Sequence, residues 1–274
     1  MIDRELIKRA LAEDLQGGED ITSVATVSGD EKVVADFVSR KAGVIAGIAM
    51  AKAVLEEVGL TDIEVLIHDG ESVQAGQVLM TVRGDTRAIL LAERTALNFL
   101  GHLSGIATLT RRWVDAISGT RCQIRDTRKT TPGMRLLEKY AVRMGGGTNH
   151  RISLSDAALI KDNHIAAAGG VAAAFSKVRE KFPSSEIEIE VDTLDQLREV
   201  LPLKPDLVLL DNMSPAQCAE AVAIVAGATK LEASGGISME NARAYAETGV
   251  DYLAIGALTH SAPVFDIGLD LRAE

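Results

Sequence analysis

Aromatic residues make up only 3% of this chain of 274 residues, and cysteine occurs only twice. A core can still form, because 47% of the residues are hydrophobic and most of these are Ala, Val, Leu and Ile. That content excludes a chain that is disordered throughout. Few aromatic stacking faces and a net charge of -10 also exclude a general nucleic-acid-binding protein.

The chain also has no long apolar run, and its first residues do not predict an export signal. Its longest apolar run, over residues 165–175, is too short to span a membrane. Asp3 and Glu5 lie where a signal peptide has a basic and then an apolar stretch. Cys122 and Cys218 lack the spacing of metal ligands, which favours two buried thiols in a reducing compartment. We therefore expect a soluble cytoplasmic protein without a membrane partner.

The N-terminal part of the chain predicts a small α+β unit. Apolar periodicity indicates helices over 2–15 and 49–58 and strands over 33–38, 63–67 and 78–82. A long helix is predicted from Thr86 to about His102. Ser104 and Gly105 then interrupt it, and a second helix runs to about Ile117.

After this unit, strands and helices alternate regularly. The predicted strands cover residues 123–126, 157–161, 186–191, 206–211, 230–234 and 251–256. The predicted helices between them cover residues 134–144, 171–182, 194–201, 215–226 and 239–248. This order indicates parallel strands covered by helices, in either an open doubly wound sheet or a β/α barrel. The barrel is favoured, because neither a GxGxxG after the first strand nor a Walker sequence is present.

Polar or glycine residues close successive predicted strands. They are Lys161, Glu190, Asp211, Ser234 and Gly256, and from Glu190 onward they are spaced by 21, 23 and 22 residues. Single polar residues often end a strand as solubilising caps. Five such positions in register converge on one mouth of a parallel barrel, where barrel enzymes place their chemistry. The pattern therefore favours an active site.

Glycines at the last strands predict a phosphate site. Ser234, Gly235 and Gly236 precede a helix, and Gly256 and Ala257 follow the next strand. Free backbone N–H groups at a helix start, in the last loops of a barrel, commonly hold phosphate. An ordinary strand-to-helix turn that uses glycine for its backbone angles is the alternative.

A basic segment stands out in this acidic chain. Residues 121–161 hold nine Lys or Arg against three Asp or Glu. Arg128, Lys129, His150 and Arg151 lie among Gly and Thr in loop-like sequence, and arginine forks suit carboxylate and phosphate oxygens. We interpret these four residues as part of an anion pocket. The segment also contains two cations four residues apart on a predicted helix, which fit a solvated face: Arg135 and Lys139.

Long motifs in this chain resemble those of the quinolinate phosphoribosyltransferase family, over essentially its whole length. In the second part they are RDTRKTTPGM from Arg125, KYAVR from Lys139, GGGTNHR from Gly145, LIKDNH from Leu159, LLDNM from Leu209, LEASGGI from Leu231 and GVDYLAIGALTH from Gly249. In the first part they are LAERTALN from Leu91 and GHLSGIAT from Gly101. The chain departs at Met144 and Thr148, where the family often has Cys and Val; these changes affect packing rather than chemistry.

The resemblance implies the type II phosphoribosyltransferase fold. An N-terminal α/β sandwich would cover residues 1–108, and an incomplete parallel β/α barrel would cover residues 109–261. The segment 262–274 would return to the first domain. The resemblance also implies a homodimer in which two subunits build each site, and a higher oligomer is compatible with it.

The resemblance further implies an activity and its residues. The family transfers phosphoribose from phosphoribosyl pyrophosphate (PRPP) to quinolinate, which yields nicotinate mononucleotide, CO2 and pyrophosphate in de novo NAD biosynthesis. The quinolinate carboxylates would be held by Arg94 of the neighbouring subunit and by Arg128, His150, Arg151 and Lys161. PRPP would be held by Lys129, Glu190, Asp211, Ser234, Gly235, Gly236, Gly256 and Ala257. Mg²⁺ would accompany the pyrophosphate, with Glu190 and Asp211 as its candidate ligands. The catalytic residues would be Lys129, Lys161, Glu190 and Asp211.

Three other interpretations stay open from the residues. The molybdenum-transport protein ModD shares this framework, but the intact LIKDNH segment favours quinolinate. A Schiff-base lyase would use Lys161 as its amine at a strand end, and borohydride would trap it with a carbonyl substrate. A non-catalytic barrel would bind quinolinate without releasing pyrophosphate.

Overall fold

The computed structural model describes residues 2–272, which form two compact units. Of the described residues, the first unit comprises 2–111, 136–146 and 261–272, and the second comprises 112–135 and 147–260. No helix within residues 2–272 is both long and apolar enough to cross a membrane.

The first unit is built on an antiparallel sheet of four strands in the order β12-β1-β5-β3. Its elements are α1 (Arg4–Leu15), α2 (Ile21–Thr26), β1 (Lys32–Ser39), β2 (Gly43–Val44), α3 (Ile48–Glu57), β3 (Asp62–Val65), β4 (Ser72–Val73), β5 (Val78–Asp85), α4 (Thr86–Ala116), α5 (Arg135–Met144) and, near the C-terminus, β12 (Ile267–Arg272). The C-terminal strand β12 pairs over its whole length with β1, from Val34 with Arg272 to Ser39 with Ile267. The core is apolar: Phe37 and Met80 on the strands and Leu55 and Ile89 on the helices are fully buried.

The predicted break in the long helix is wrong, because α4 runs without interruption from Thr86 to Ala116. Ser104 turns its hydroxyl inward, where it accepts from the backbone N–H of Ala46 at 3.0 Å. A Cβ on Gly105 would overlap the carbonyl oxygen of Pro263. Glycine therefore serves the close approach of the C-terminal segment, and it does not end the helix.

Helix α5 belongs largely to the first unit, whereas the predicted second domain runs through it. Glu138 and Lys139 are buried, with 0% and 1% of their surface exposed, so the predicted solvated face is wrong for Lys139. Glu138 lies 2.9 Å from His102 Nε2, and the Tyr140 hydroxyl donates to Asp69 at 2.7 Å. These polar contacts hold the helix in the first unit. A hydropathy pattern does not predict them, because it assigns charged residues to the surface.

The second unit is a six-stranded parallel sheet in the order β6-β11-β10-β9-β8-β7. Its elements are β6 (Gln123–Arg125), β7 (Ala158–Ile160), α6 (Asp162–Ala168), α7 (Val171–Lys181), β8 (Ile187–Val191), α8 (Leu194–Val200), β9 (Leu207–Asp211), α9 (Pro215–Val225), β10 (Lys230–Ser234), α10 (Ala242–Ala246), β11 (Tyr252–Ala254) and α11 (Ala257–His260). The order follows the chain from β7 to β11 and then returns to β6, as in a barrel, with no pairing between β6 and β7 among the described residues. A doubly wound sheet would instead reverse its order at a switch point. The predicted incomplete β/α barrel is confirmed.

Local sequence explains where the barrel helices begin and end. Thr193 with Gln196 and Ser214 with Gln217 form capping boxes at the starts of α8 and α9. The apolar run 165–175 contains two glycines with positive φ, and it forms the end of α6 and the start of α7. Helix α10 is shorter than predicted, with Asn241 as its N-cap. Both cysteines are buried and unpaired, and burial raises the pKa of Cys122 to about 12.

Candidate active site

A cavity of about 550 Å³ opens at the carboxyl ends of the barrel strands. It brings together all of the predicted site residues except Arg94. These lining residues are Arg128, Lys129, His150, Arg151, Lys161, Glu190, Asp211, Ser234, Gly235, Gly236, Gly256 and Ala257. The parallel register explains the convergence, because Glu190 lies beside Leu209 and Ser234 lies beside Asp211 on neighbouring strands. The polar strand ends therefore share one mouth.

Two guanidinium groups form the cationic end of the cavity. The Nε atoms of Arg128 and Arg151 are buried and have no acceptor among the residues that the structure describes. Burial, and then the charge of Arg128, lower the pKa of Arg151. The Arg151 side chain is oriented by its Nη1, which donates to the Ala157 carbonyl at 3.0 Å. Buried donors without acceptors carry a large energetic cost, so this end of the cavity fits an anionic ligand.

Two carboxylates occupy the neighbouring strand ends. Lys161 caps the start of α6, and its Nζ donates to Glu190 Oε2 at 2.7 Å. Asp211 closes β9, and burial, followed by the nearby charges of Glu190 and Asp192, raises its pKa. The Asn212 amide donates to Asp211 Oδ2 at 2.6 Å and orients it. The cavity thus has a cationic end, an ion pair and a carboxylate end.

A tight turn after β10 fits a phosphate. Gly235 and Gly236 have φ of +86° and +65°, which side chains rarely adopt, and a Cβ on Gly235 would overlap Asn212 Oδ1. Asn212 itself has a φ of 52°, and its N–H donates to the Ser234 carbonyl at 2.8 Å. The turn leaves room for a ligand to approach the backbone closely.

The next strand provides the opposite wall of the cavity. Gly256 precedes α11, and a Cβ there would lie 3.1 Å from Lys129 Cδ, so glycine leaves space for the lysine side chain. The Thr259 hydroxyl donates to the Lys129 carbonyl at 2.7 Å, and the Lys129 N–H donates to Thr127 Oγ1 at 3.0 Å. These contacts fix the backbone that presents Lys129 to the cavity.

Sequence reasoning missed a buried polar network under the cavity. His150 Nε2 lies 2.8 Å from Glu188 Oε2 and 3.6 Å from Glu232 Oε1, and Arg125 Nη1 lies 2.9 Å from Glu232 Oε2. Burial raises the pKa of Glu188 to about 7 and that of Glu232 to about 7. The spacing in β8 could have predicted Glu188, because it lies two residues before Glu190 and both side chains point to the same side of the strand.

Arg94 is the one predicted residue that does not line the cavity. It lies on α4 in the first unit, its side chain is 66% exposed, and its Nη2 is 3.8 Å from Glu93. An exposed arginine with one loose ion pair gains little stability from that contact.

The donor set fits a divalent cation bound together with a phosphorylated ligand. Glu190 and Asp211 supply carboxylate oxygens at adjacent strand ends, which are the ligands that Mg²⁺ prefers, and it usually keeps waters and substrate phosphates as its other ligands.

Comparisons with known proteins identify the family that the chain resembles. Residues 20–104 match the family model "Quinolinate phosphoribosyl transferase, N-terminal domain", and residues 106–270 match the corresponding C-terminal domain. The chain is 54% identical to the nicotinate-nucleotide pyrophosphorylase (carboxylating) of Mycobacterium leprae, over 98% of this chain and 96% of the relative. It is 39% identical to the probable enzyme of that name from Bacillus subtilis, over 98% and 93% of the two chains.

A solved structure gives the same result. The nicotinate-nucleotide pyrophosphorylase of Ehrlichia chaffeensis superposes with a TM-score of 0.94 at 41% identity, over 98% of each chain. Both family models and full-length relatives therefore match the two units in order. This chain belongs to the quinolinate phosphoribosyltransferase family.

Proposed function

We propose that this chain transfers phosphoribose from PRPP to quinolinate and yields nicotinate mononucleotide, CO2 and pyrophosphate. The observation that carries the proposal is the pair of buried guanidinium donors without acceptors, in one cavity with a glycine turn and two carboxylates. A dicarboxylate satisfies the cationic end, and a phosphorylated sugar satisfies the other.

The cationic end orients quinolinate. The two carboxylates of quinolinate accept hydrogen bonds from Arg128 and Arg151. Lys161 pairs with Glu190 and so connects this end of the cavity with the carboxylate end. Fixing both carboxylates of a planar ring leaves the ring nitrogen one direction of attack, toward C1 of the sugar. Orientation of this kind converts a bimolecular step into an effectively unimolecular one.

The carboxylate end serves bond cleavage. As pyrophosphate departs from C1, positive charge develops on the ribose, and Glu190 and Asp211 stabilise it or hold the ribose hydroxyls. The backbone of the Gly235–Gly236 turn receives the phosphate oxygens. Once the nitrogen has bonded to C1, the pyridinium withdraws electrons from the carbon that bears the adjacent carboxylate, and CO2 leaves.

Magnesium is part of the proposal. Glu190 and Asp211 would hold Mg²⁺ together with the pyrophosphate oxygens. When bound, Mg²⁺ would supply positive charge against the leaving pyrophosphate. Lys129, fixed by Thr259 and Thr127, offers a second positive charge to the same group.

A homodimer with shared sites accounts for Arg94. Its exposed side chain is available to a second copy of the chain. In keeping with the family resemblance, Arg94 would contact the quinolinate bound by a neighbouring subunit. A cytoplasmic location is also proposed, since Cys122 and Cys218 are buried free thiols.

The test is a reaction with quinolinate labelled at the carboxyl group next to the nitrogen, PRPP and Mg²⁺. We expect labelled CO2, pyrophosphate and nicotinate mononucleotide in equal amounts, and no CO2 when PRPP is omitted. Lys161→Ala is the inactive variant and the exposed Lys181→Ala is its matched control. Binding of quinolinate without pyrophosphate release would refute the transferase and leave a binding protein.

A further inference from the structure

His150 uses both of its ring nitrogens within the protein. The backbone N–H of Arg151 donates to His150 Nδ1 at 2.7 Å, and Nε2 lies 2.8 Å from Glu188 Oε2. A histidine ring nitrogen that accepts a hydrogen bond is unprotonated. The contacts therefore assign a neutral imidazole with its proton on Nε2, donated to Glu188.

Glu188 is buried and does not line the cavity, whereas His150 and Arg151 do. The charged groups near Glu188 are Arg125, Arg151, Lys161, Glu186 and the buried Glu232. Its second oxygen, Oε1, has no donor among the described residues. Burying a carboxylate with one oxygen unsatisfied costs free energy, and the other oxygen contacts His150. This arrangement indicates a specific role for Glu188 rather than general stabilisation.

The segment that carries His150 is fixed to β6 from its other side. Thr148 forms an isolated parallel bridge with Arg125, and the His150 N–H donates to Asp126 Oδ1 at 2.8 Å. The guanidinium of Arg151 is fixed by its bond to the Ala157 carbonyl. The hydrogen bond from the Arg151 N–H to His150 therefore links the Arg151 backbone, through His150, to Glu188 in the barrel interior.

We propose that Glu188 is a positioning residue for quinolinate recognition: it holds His150 in the Nε2–H tautomer, and His150 in turn fixes the backbone of Arg151. Glu188 itself does not touch the substrate. The substrate named here rests on the proposed function, whereas the tautomer does not. Replacement of Glu188 should therefore weaken the binding of quinolinate but not that of PRPP, because Arg151 lies at the cationic end of the cavity and PRPP is held at the other end.

Three variants separate this role from a general structural one. Glu188→Leu removes the acceptor, Glu188→Gln keeps an oxygen for the His150 Nε2–H, and Glu186→Gln is the matched control at an exposed position two residues earlier. We expect Glu188→Leu to raise the KM for quinolinate about tenfold or more, with the KM for PRPP within about twofold. Glu188→Gln should recover most of the loss, and Glu186→Gln should behave as wild type.

The tautomer is measured directly, without substrate, by ¹⁵N NMR of the histidine side chains, with the His150 signals assigned by their loss in His150→Gln. We expect the Nε2–H form in wild type and Glu188→Gln between pH 6 and 8, and a tautomer mixture in Glu188→Leu. An Nδ1–H form in wild type, or equal rises in the KM for both substrates, would overturn the inference. If Glu188→Leu does not fold, the wild-type and Glu188→Gln spectra still decide. Absence of product from wild type would instead contradict the proposed function.

Discussion

Lys161 Nζ lies 2.7 Å from Glu190 Oε2, so the first polar strand end of the barrel is paired with the second. The lysine side chain is half exposed to the cavity, while the glutamate is almost fully buried. The pair joins the cationic end to the carboxylate end. It also commits the Lys161 ammonium to an ion pair, whereas a Schiff-base lysine needs a neutral amine.

Replacing Lys161 or Arg151 removes a cation that contacts the substrate in the transition state. We expect Lys161→Ala and Arg151→Ala each to lower kcat/KM by roughly 10²-fold or more, because a charged contact with the substrate is lost. Steady-state assays with both substrates varied provide the measurement, with the exposed Lys181→Ala as control. Near wild-type turnover in both variants would contradict the site.

Subunit mixing tests the proposed sharing of sites. Arg94→Ala and Lys161→Ala chains are inactive separately if each site takes Arg94 from one copy and Lys161 from the other. A mixed dimer then has one site with both residues intact. We expect about a quarter of wild-type activity in an equimolar mixture, from random pairing alone. No recovery, with mixed dimers shown by mass spectrometry, would show that Arg94 does not act across an interface.

The turn after β10 gives a third prediction, aimed at PRPP. Gly235→Ala places a methyl group onto Asn212 Oδ1 at a φ of +86°. We expect the KM for PRPP to rise by about tenfold, with the KM for quinolinate little changed, because the turn and Asp211 shift together. Gly227→Ala is the control, since it also has a positive φ (+83°) but meets no atom within 4 Å. Equal effects of the two variants would mean that backbone strain alone is responsible.

The barrel and its mouth were predictable because parallel strands are short apolar runs and their polar ends share one edge. Each of the strands ending near Lys161, Asp211 and Ser234 was found in this way. Glu188 was missed because a Glu-Ile-Glu-Ile-Glu repeat reads as an exposed face, whereas alternate residues of a barrel strand point to its interior. Lys139 was missed because its burial depends on tertiary partners.

The continuous helix α4 shows the same limit and gives a fourth prediction. Gly105 is explained by Pro263, more than 150 residues later, which no local pattern reveals. Gly105→Ala should lower the free energy of unfolding by about 1–3 kcal/mol, because the added methyl displaces the C-terminal segment. Chemical denaturation measures the loss. An increase, as expected for Ala replacing Gly in an unconstrained helix, would contradict the packing role.

The buried carboxyl groups under the cavity predict an unusual dependence of stability on pH. Burial raises the pKa of Glu188 and of Glu232 from an ordinary value of 4.5 to about 7, so between these values the folded state binds more protons than the unfolded state. Their contribution is therefore fully present below about pH 4.5 and is lost as the pH rises through about 7.

We expect the double variant Glu188→Gln/Glu232→Gln to lack this loss. Between pH 5 and pH 8 its free energy of unfolding should rise relative to wild type by on the order of 1–3 kcal/mol, because no carboxylate has to ionise in the barrel interior. Urea unfolding at several pH values measures the difference, and Glu186→Gln controls for removal of an exposed charge. Parallel curves for the double variant and wild type would show that both carboxyl groups titrate normally.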